Sequence, residues 1–217
     1  MTDSLLSAWL LGLVLGVRHA FEPDHLAAMA TLVSPELGET RTPGRTALVG
    51  ALWGVGHAAT LLLVGGALVL CRVRMPTPLA TSFEIAVAAL LLFLGARSLL
   101  AAARHRHSHG GHVDHVHLGP RILPRRPFLV GVAHGLAGSG ALTALALASM
   151  PSLTTALVYL LLFGMGSVAA MALASGLLGF PLERFSRSPT AQAALSSLAG
   201  VLSLVTGLLW GWHSIFG

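Results

Sequence analysis

The stretch GVRHAFEPDHLAAM, residues 16–29, places Arg18, His19, Glu22, Asp24 and His25 inside a long apolar segment, with Pro23 among them. An ionisable side chain at the centre of a bilayer costs from a few to more than about ten kcal/mol. Five such groups within eight positions, next to a residue that breaks helices, mark a site rather than a plain lipid-facing helix. The segment reads as a span over residues 5–34. As one straight helix its roughly 30 residues would measure about 45 Å, against a hydrocarbon core of about 30 Å. It has to tilt, bend or break, and Pro23 supplies the cause, because it has no N–H to give the carbonyl of His19.

The spacing points the same way. At roughly 100° per residue, Glu22 lies about 60° from His19, Asp24 about 140° away, and His25 about 120° away on the other side. An unbroken helix would splay His19, Asp24 and His25, whereas local unwinding at Pro23 lets them converge. Imidazole and carboxylate together suit divalent first-row metals such as nickel, cobalt and zinc, and argue against soft cuprous copper. The plainer reading is that these groups are ion pairs pinning helices together, with Arg18 and Glu22 as an i,i+4 pair.

The rest of the chain is as apolar as this segment. Of its 217 residues 54% are apolar and 10% charged, and the mean hydropathy is +0.79; a soluble domain carries about a quarter charged residues. Further spans read at 45–70, 78–103, 127–149, 152–179 and 190–215, which makes an all-α polytopic membrane protein of about six transmembrane helices. The opening MTDSLLSAWL has neither a basic start nor a small-residue cleavage site, and reads as part of the first span. The formal charge of +5 comes from arginine alone. These arginines lie mainly in short loops, so they orient the chain and do not suggest nucleic acid. Arg41, Arg45, Arg104, Arg106, Arg121, Arg125, Arg126, Arg184 and Arg187 fall on one side; Arg72 and Arg74 fall on the other. The positive-inside rule puts the larger group in the cytoplasm and both termini outside. A single cysteine, Cys71, excludes an intrachain disulfide and a cysteine-rich metal site.

The two halves resemble each other. LGVRHAFEPDHLAAMATLVSP aligns with VGVAHGLAGSGALTALALASM, so that His19 meets His134 and Asp24 meets Ser139. LWGVGHAAT aligns with LFGMGSVAA, where His57 meets Ser167, and Gly95 aligns with Gly207. Three spans per copy force opposite orientations, the pattern of inverted repeats with broken helices at the midplane that transporters use. The single membrane domain, 1–217, then divides into a first three-helix repeat at 1–103, a histidine-rich loop at 104–126 and a second repeat at 127–217.

His57 and His134 sit near the depth of His19, beside small residues that permit close helix packing. They read either as ligands lining one cavity or as interhelical hydrogen bonders. The segment HGLAGSGAL at 134–142 offers the Ser139 hydroxyl and weakened helix, or plain close packing. The loop HRHSHGGHVDHVH brings His105, His107, His109, His112, His115 and His117 together with Asp114. Such tracts bind transition metals loosely and with little selectivity, as a store, sensor or hand-off segment.

RHAFEPDH carries the pattern H-x4-D-H, and with it the chain resembles the nickel/cobalt permeases, the NiCoT family and its shorter UreH-like relatives in the wider NicO group. GHAAT looks like that family's second histidine motif. The resemblance implies a multi-pass protein of a prokaryotic cytoplasmic membrane that moves Ni2+ or Co2+ without a prosthetic group. It also implies that His19, Asp24 and His25 select the metal, with His57 nearby. It covers the first half well and the second loosely, and the chain has about six spans where the long permeases have eight. Glu22, His134, Ser139 and the loop histidines stand as further candidates. Two rivals remain in view: a membrane-bound nickel accessory factor that delivers metal without net transport, and an exporter of small sulfur-containing anions. The first leaves a metalloenzyme under maturation, beside a second copy of the chain, as a protein partner. The midplane carboxylates disfavour the second. No enzyme is expected: AGSG at 137–140 has Ala137 where a rhomboid-type serine motif has glycine, and the only late histidine is His213.

Overall fold

The structure, a computed structural model, describes residues 2–34, 42–107, 125–150, 152–185 and 188–217; at 2–5, 104–107, 138–149 and 189 only the backbone is described. The described residues are almost wholly helical. Helix α1 (Thr2–His19) is followed by α2 (Pro23–Val33) and α3 (Pro43–Thr60). A wide π turn over Leu61–Gly65 joins α3 to α4 (Gly66–Cys71), and α5 (Thr77–His107), α6 (Arg125–Ser149), α7 (Leu153–Arg184) and α8 (Pro189–Phe216) complete the chain. Helix starts follow local rules. Thr42, Ser152 and Ser188 each accept a hydrogen bond from the backbone N–H three residues on, and Pro43 and Pro189 occupy first-turn positions where no N–H is needed.

Among the described residues, four helical stretches are long and apolar enough to cross a membrane: Pro43–Cys71, Thr77–Ala103, Leu153–Arg184 and Thr190–Phe216. They fit a multi-pass membrane protein. The stretch read as a span at 5–34 breaks near Pro23 into two helices. The backbone turns at Ala20–Glu22, where the N–H groups of Phe21 and Glu22 donate to the carbonyls of Arg18 and His19, each at 3.0 Å. Pro23 then starts α2 at a position that suits it. The His19 carbonyl that proline cannot serve is thus taken by Glu22.

The largest packing interfaces join early helices to late ones: α5 with α8, α3 with α7, α1 with α7 and α3 with α6. Glycines set these approaches. A Cβ on Gly16 of α1 would overlap the Phe163 carbonyl of α7, and one on Gly131 of α6 would overlap the Trp53 carbonyl of α3. One on Gly166 of α7 would press on the Leu13 carbonyl, and one on Gly56 of α3 on the Phe128 carbonyl. These contacts come in pairs related by the sequence alignment of the halves, in which Gly16 meets Gly131, Phe163 meets Trp53, and Leu13 meets Phe128. Gly95 against Gly200 and Leu204, and Gly207 against Ala88 and Leu92, form another such pair. Hydrogen bonds reinforce the crossings. The Ser167 hydroxyl donates to the Gly16 carbonyl at 3.0 Å, and the Thr60 hydroxyl reaches the Val132 carbonyl at 3.1 Å.

Candidate metal centre

The break between α1 and α2 brings His19, at the end of one helix, beside His25, in the first turn of the next; their ring centroids lie 4.2 Å apart. Close contact of α3 with α6 then adds His57 and His134, whose rings lie 5.1 and 4.5 Å from His25. Asp24 ties the cluster together. One carboxylate oxygen accepts from His25 Nδ1 at 3.0 Å and the other from His134 Nε2 at 2.9 Å. On the other side of His25, the Nε2 atoms of His19 and His57 face each other at 3.2 Å. In a tetrahedral site with bonds of about 2.0 Å, neighbouring ligand atoms stand about 3.3 Å apart. His19 Nδ1 is held by Glu22 at 2.8 Å.

Asp24, His25, His57 and His134 are buried, while the side chains of His19 and Glu22 are 11% and 42% exposed. Three buried nitrogens, His25 Nε2, His57 Nδ1 and His134 Nδ1, have no hydrogen-bond partner among the described residues. Buried polar atoms are rarely left so, and each neutral imidazole keeps one unprotonated nitrogen whose lone pair can serve a cation. With Asp24 accepting, His25 carries its proton on Nδ1 and its lone pair on Nε2. Among the described residues, two groups of three side chains have mutually close ligand atoms: His19, His25 and His57, and Asp24, His25 and His134, all within 4.8 Å in each group.

Two aromatic side chains wall the site that sequence reading passes over. Phe163 of α7 packs on His19 at 5.2 Å, and Trp53 of α3 packs on His25 at 5.5 Å and His134 at 5.8 Å. Both look like ordinary core residues in sequence. The available signal is that each precedes the same G-x-G in LWGVG and LFGMG. Glu22 pairs with His19 and not with the exposed Arg18, because the backbone turn moves it off the i,i+4 position that a continuous helix would give. The Ser139 side chain and those of His105 and His107 lie outside what the structure describes, as do residues His109, His112, His115 and His117 entirely.

Over 209 aligned residues the chain is 33% identical to the urease accessory protein UreH of Bacillus sp. (strain TB-90), covering 94% of this chain and 90% of that protein. The chain belongs to the UreH family. This UreH-family chain is also 32% identical over 177 residues to the chloroplast protein FOR GROWTH AND FERTILITY 2 of Arabidopsis thaliana, covering 78% of the chain and 46% of that protein. To the chloroplast protein FOR GROWTH AND FERTILITY 1 of the same plant it is 27% identical over 218 residues, covering 94% and 58%. It spans about half the length of these two plant proteins. No family model matches the chain, and no solved structure matches it.

Proposed function

We propose that this chain is a secondary transporter that moves Ni2+ or Co2+ across a prokaryotic cytoplasmic membrane through the His/Asp cluster. The observation that carries the reading is the convergence of His19, Asp24, His25 and His57 with His134 from the other half of the chain, with three buried imidazole nitrogens left unpartnered. The donor set suits these metals. The name of the Bacillus relative, a urease accessory protein, supports a role connected with urease. The chain crosses the membrane about six times, as two inverted three-helix repeats at 1–103 and 127–217. The paired glycine contacts support that arrangement, since several close approaches made by one half are matched by the other. The loop at 104–126 lies in the cytoplasm and gathers metal with its histidines, and both termini lie outside.

Transport is tested by Ni2+ and Co2+ flux into proteoliposomes holding the purified protein, beside His25→Ala. Flux that disappears in the variant is expected. A second reading, an accessory factor that binds nickel and passes it on without moving it across, draws on the word accessory in the relative's name. Metal binding by a folded protein with no flux decides for it. An anion exporter does not suit the site, because Asp24 is buried in its middle.

A further inference from the structure

The five side chains of the cluster do not converge on one point. They divide into two groups of three that have only His25 in common. In the first, His19 and His57 already hold their Nε2 atoms at the spacing of two ligands of one ion. Asp24 binds Nδ1 of His25, which leaves Nε2 as the nitrogen available to this group. Here Asp24 is the outer carboxylate that fixes a metal-binding imidazole, an arrangement that orients the ring and raises its basicity. In the second group the same carboxylate is itself a ligand atom, together with His25 and His134.

We propose that these are two overlapping stations for a single divalent ion, His19–His25–His57 and Asp24–His25–His134, with His25 the ligand of both. This rests on the metal-binding reading above and adds an order of events to it. The first station is reached from the half-exposed Glu22, which holds His19 from behind. The second is the more deeply buried and takes its terminal histidine from α6. Moving from one to the other exchanges two imidazoles for a carboxylate and one imidazole, while His25 never lets go. His19 and His134, the terminal ligands on either side of His25, are partners in the alignment of the halves, so the ion passes from one half of the chain to the other. A neutral His25 offers one lone pair, so a single ion holds it at a time.

The test is Co2+ binding to the full-length protein in detergent, followed through the visible ligand-field bands of the ion, for wild type, His57→Ser, His134→Ala and His25→Ala. Helical circular dichroism of each variant checks folding, and His25→Asn replaces His25→Ala should the latter lose its helical signal. Binding by the histidine loop is common to all and cancels in differences against His25→Ala. The expected result is one cluster-bound Co2+ per wild-type chain. His57→Ser and His134→Ala each still bind, with affinity reduced on the order of twofold when the stations are equally favourable and with different bands, because one leaves an Asp/His set and the other an all-imidazole set. His25→Ala loses at least about 100-fold, more than the roughly 10–100-fold that losing an outer partner costs. Abolition of binding by His57→Ser and by His134→Ala alike, with wild type intact, means one merged site; it overturns the two stations and keeps the transporter. Two cluster-bound Co2+ ions in wild type overturn the shared ligand. No difference between wild type and His25→Ala overturns both readings.

Discussion

Gly131 is the position at which the packing of the halves and the metal centre meet, and Gly131→Ala is the sharpest test of that connection. Its added Cβ would overlap the Trp53 carbonyl oxygen and stand 2.9 Å from the Trp53 carbonyl carbon and 3.0 Å from the His57 nitrogen. Every one of these atoms is backbone, so no side chain can swing away. Carbon contacts are comfortable at about 3.5–4.0 Å, so α6 has to retreat from α3 by on the order of 1 Å. His134 lies three residues further along α6, on the same face. That retreat takes its 2.9 Å bond to Asp24 out of hydrogen-bond range. Overpacking costs about 1–3 kcal/mol, and a weakened hydrogen bond to a charged group about 1.5–3 kcal/mol. The two are coupled and do not simply add, so we expect a net loss of about 2–4 kcal/mol. For a chain of this size that is a fall in melting temperature on the order of 10 °C. The assay is thermal unfolding in detergent by circular dichroism, with Co2+ titration of the same samples. Gly44→Ala is the control, since nothing lies within 4 Å of a Cβ there; replacing an exposed helical glycine stabilises by up to about 1 kcal/mol. If Gly131→Ala melts with wild type and keeps its full Co2+ affinity, the link drawn here between helix approach and ligand placement is wrong.

Other consequences are simpler to state. Glu22→Ala frees His19 Nδ1 and, because His19 serves only the first station, is expected to lower total Co2+ affinity by no more than about twofold while shifting the bands toward those of His57→Ser, with little change in melting temperature; Glu22→Gln, which keeps an acceptor, recovers part of the band shift, and equal shifts in the two variants would argue against a positioning role. Ser167→Ala removes the bond to the Gly16 carbonyl and is expected to cost no more than about 1.5 kcal/mol in the same unfolding assay, because that carbonyl also accepts from Ala20 N. Cys71 is the sole cysteine and is exposed at the end of α4. A membrane-impermeant maleimide added to intact spheroplasts is therefore expected to label the unaltered protein, and protection of Cys71 until the membrane is opened would reverse the proposed topology.

The centre is legible in the sequence to the extent that covalent geometry dictates it. Pro23 cannot continue α1, so a break near it follows from the residue alone, and the convergence of His19, Asp24 and His25 follows from the break. His57 and His134 are legible as candidates through their depth and through the alignment of the halves. Their division into two groups is not, because it depends on side-chain directions set by helix contacts far apart in sequence. The same holds for Trp53 and Phe163: an aromatic residue in an apolar helix carries no mark of what its face touches. The Arg18–Glu22 pairing misleads for a definite reason, since an i,i+4 rule presumes the continuous helix that the proline removes. The exact place of the turn is not legible, as hydropathy sums over Ala20–Glu22, where hydrogen bonds close the backbone locally.

The cross-pairing of early and late helices also bears on how such a chain is made. The helix partners with the widest contacts stand far apart in the sequence: α1 waits for α7, α3 for α6 and α7, and α5 for α8. A ribosome delivering the first hundred residues therefore releases helices whose glycine-lined faces have no surface to meet until the second half emerges. Contacts of such long sequence separation form slowly and leave intermediates open to wrong partners. During that interval the insertion machinery, or another molecule of the same chain, is what those faces encounter first.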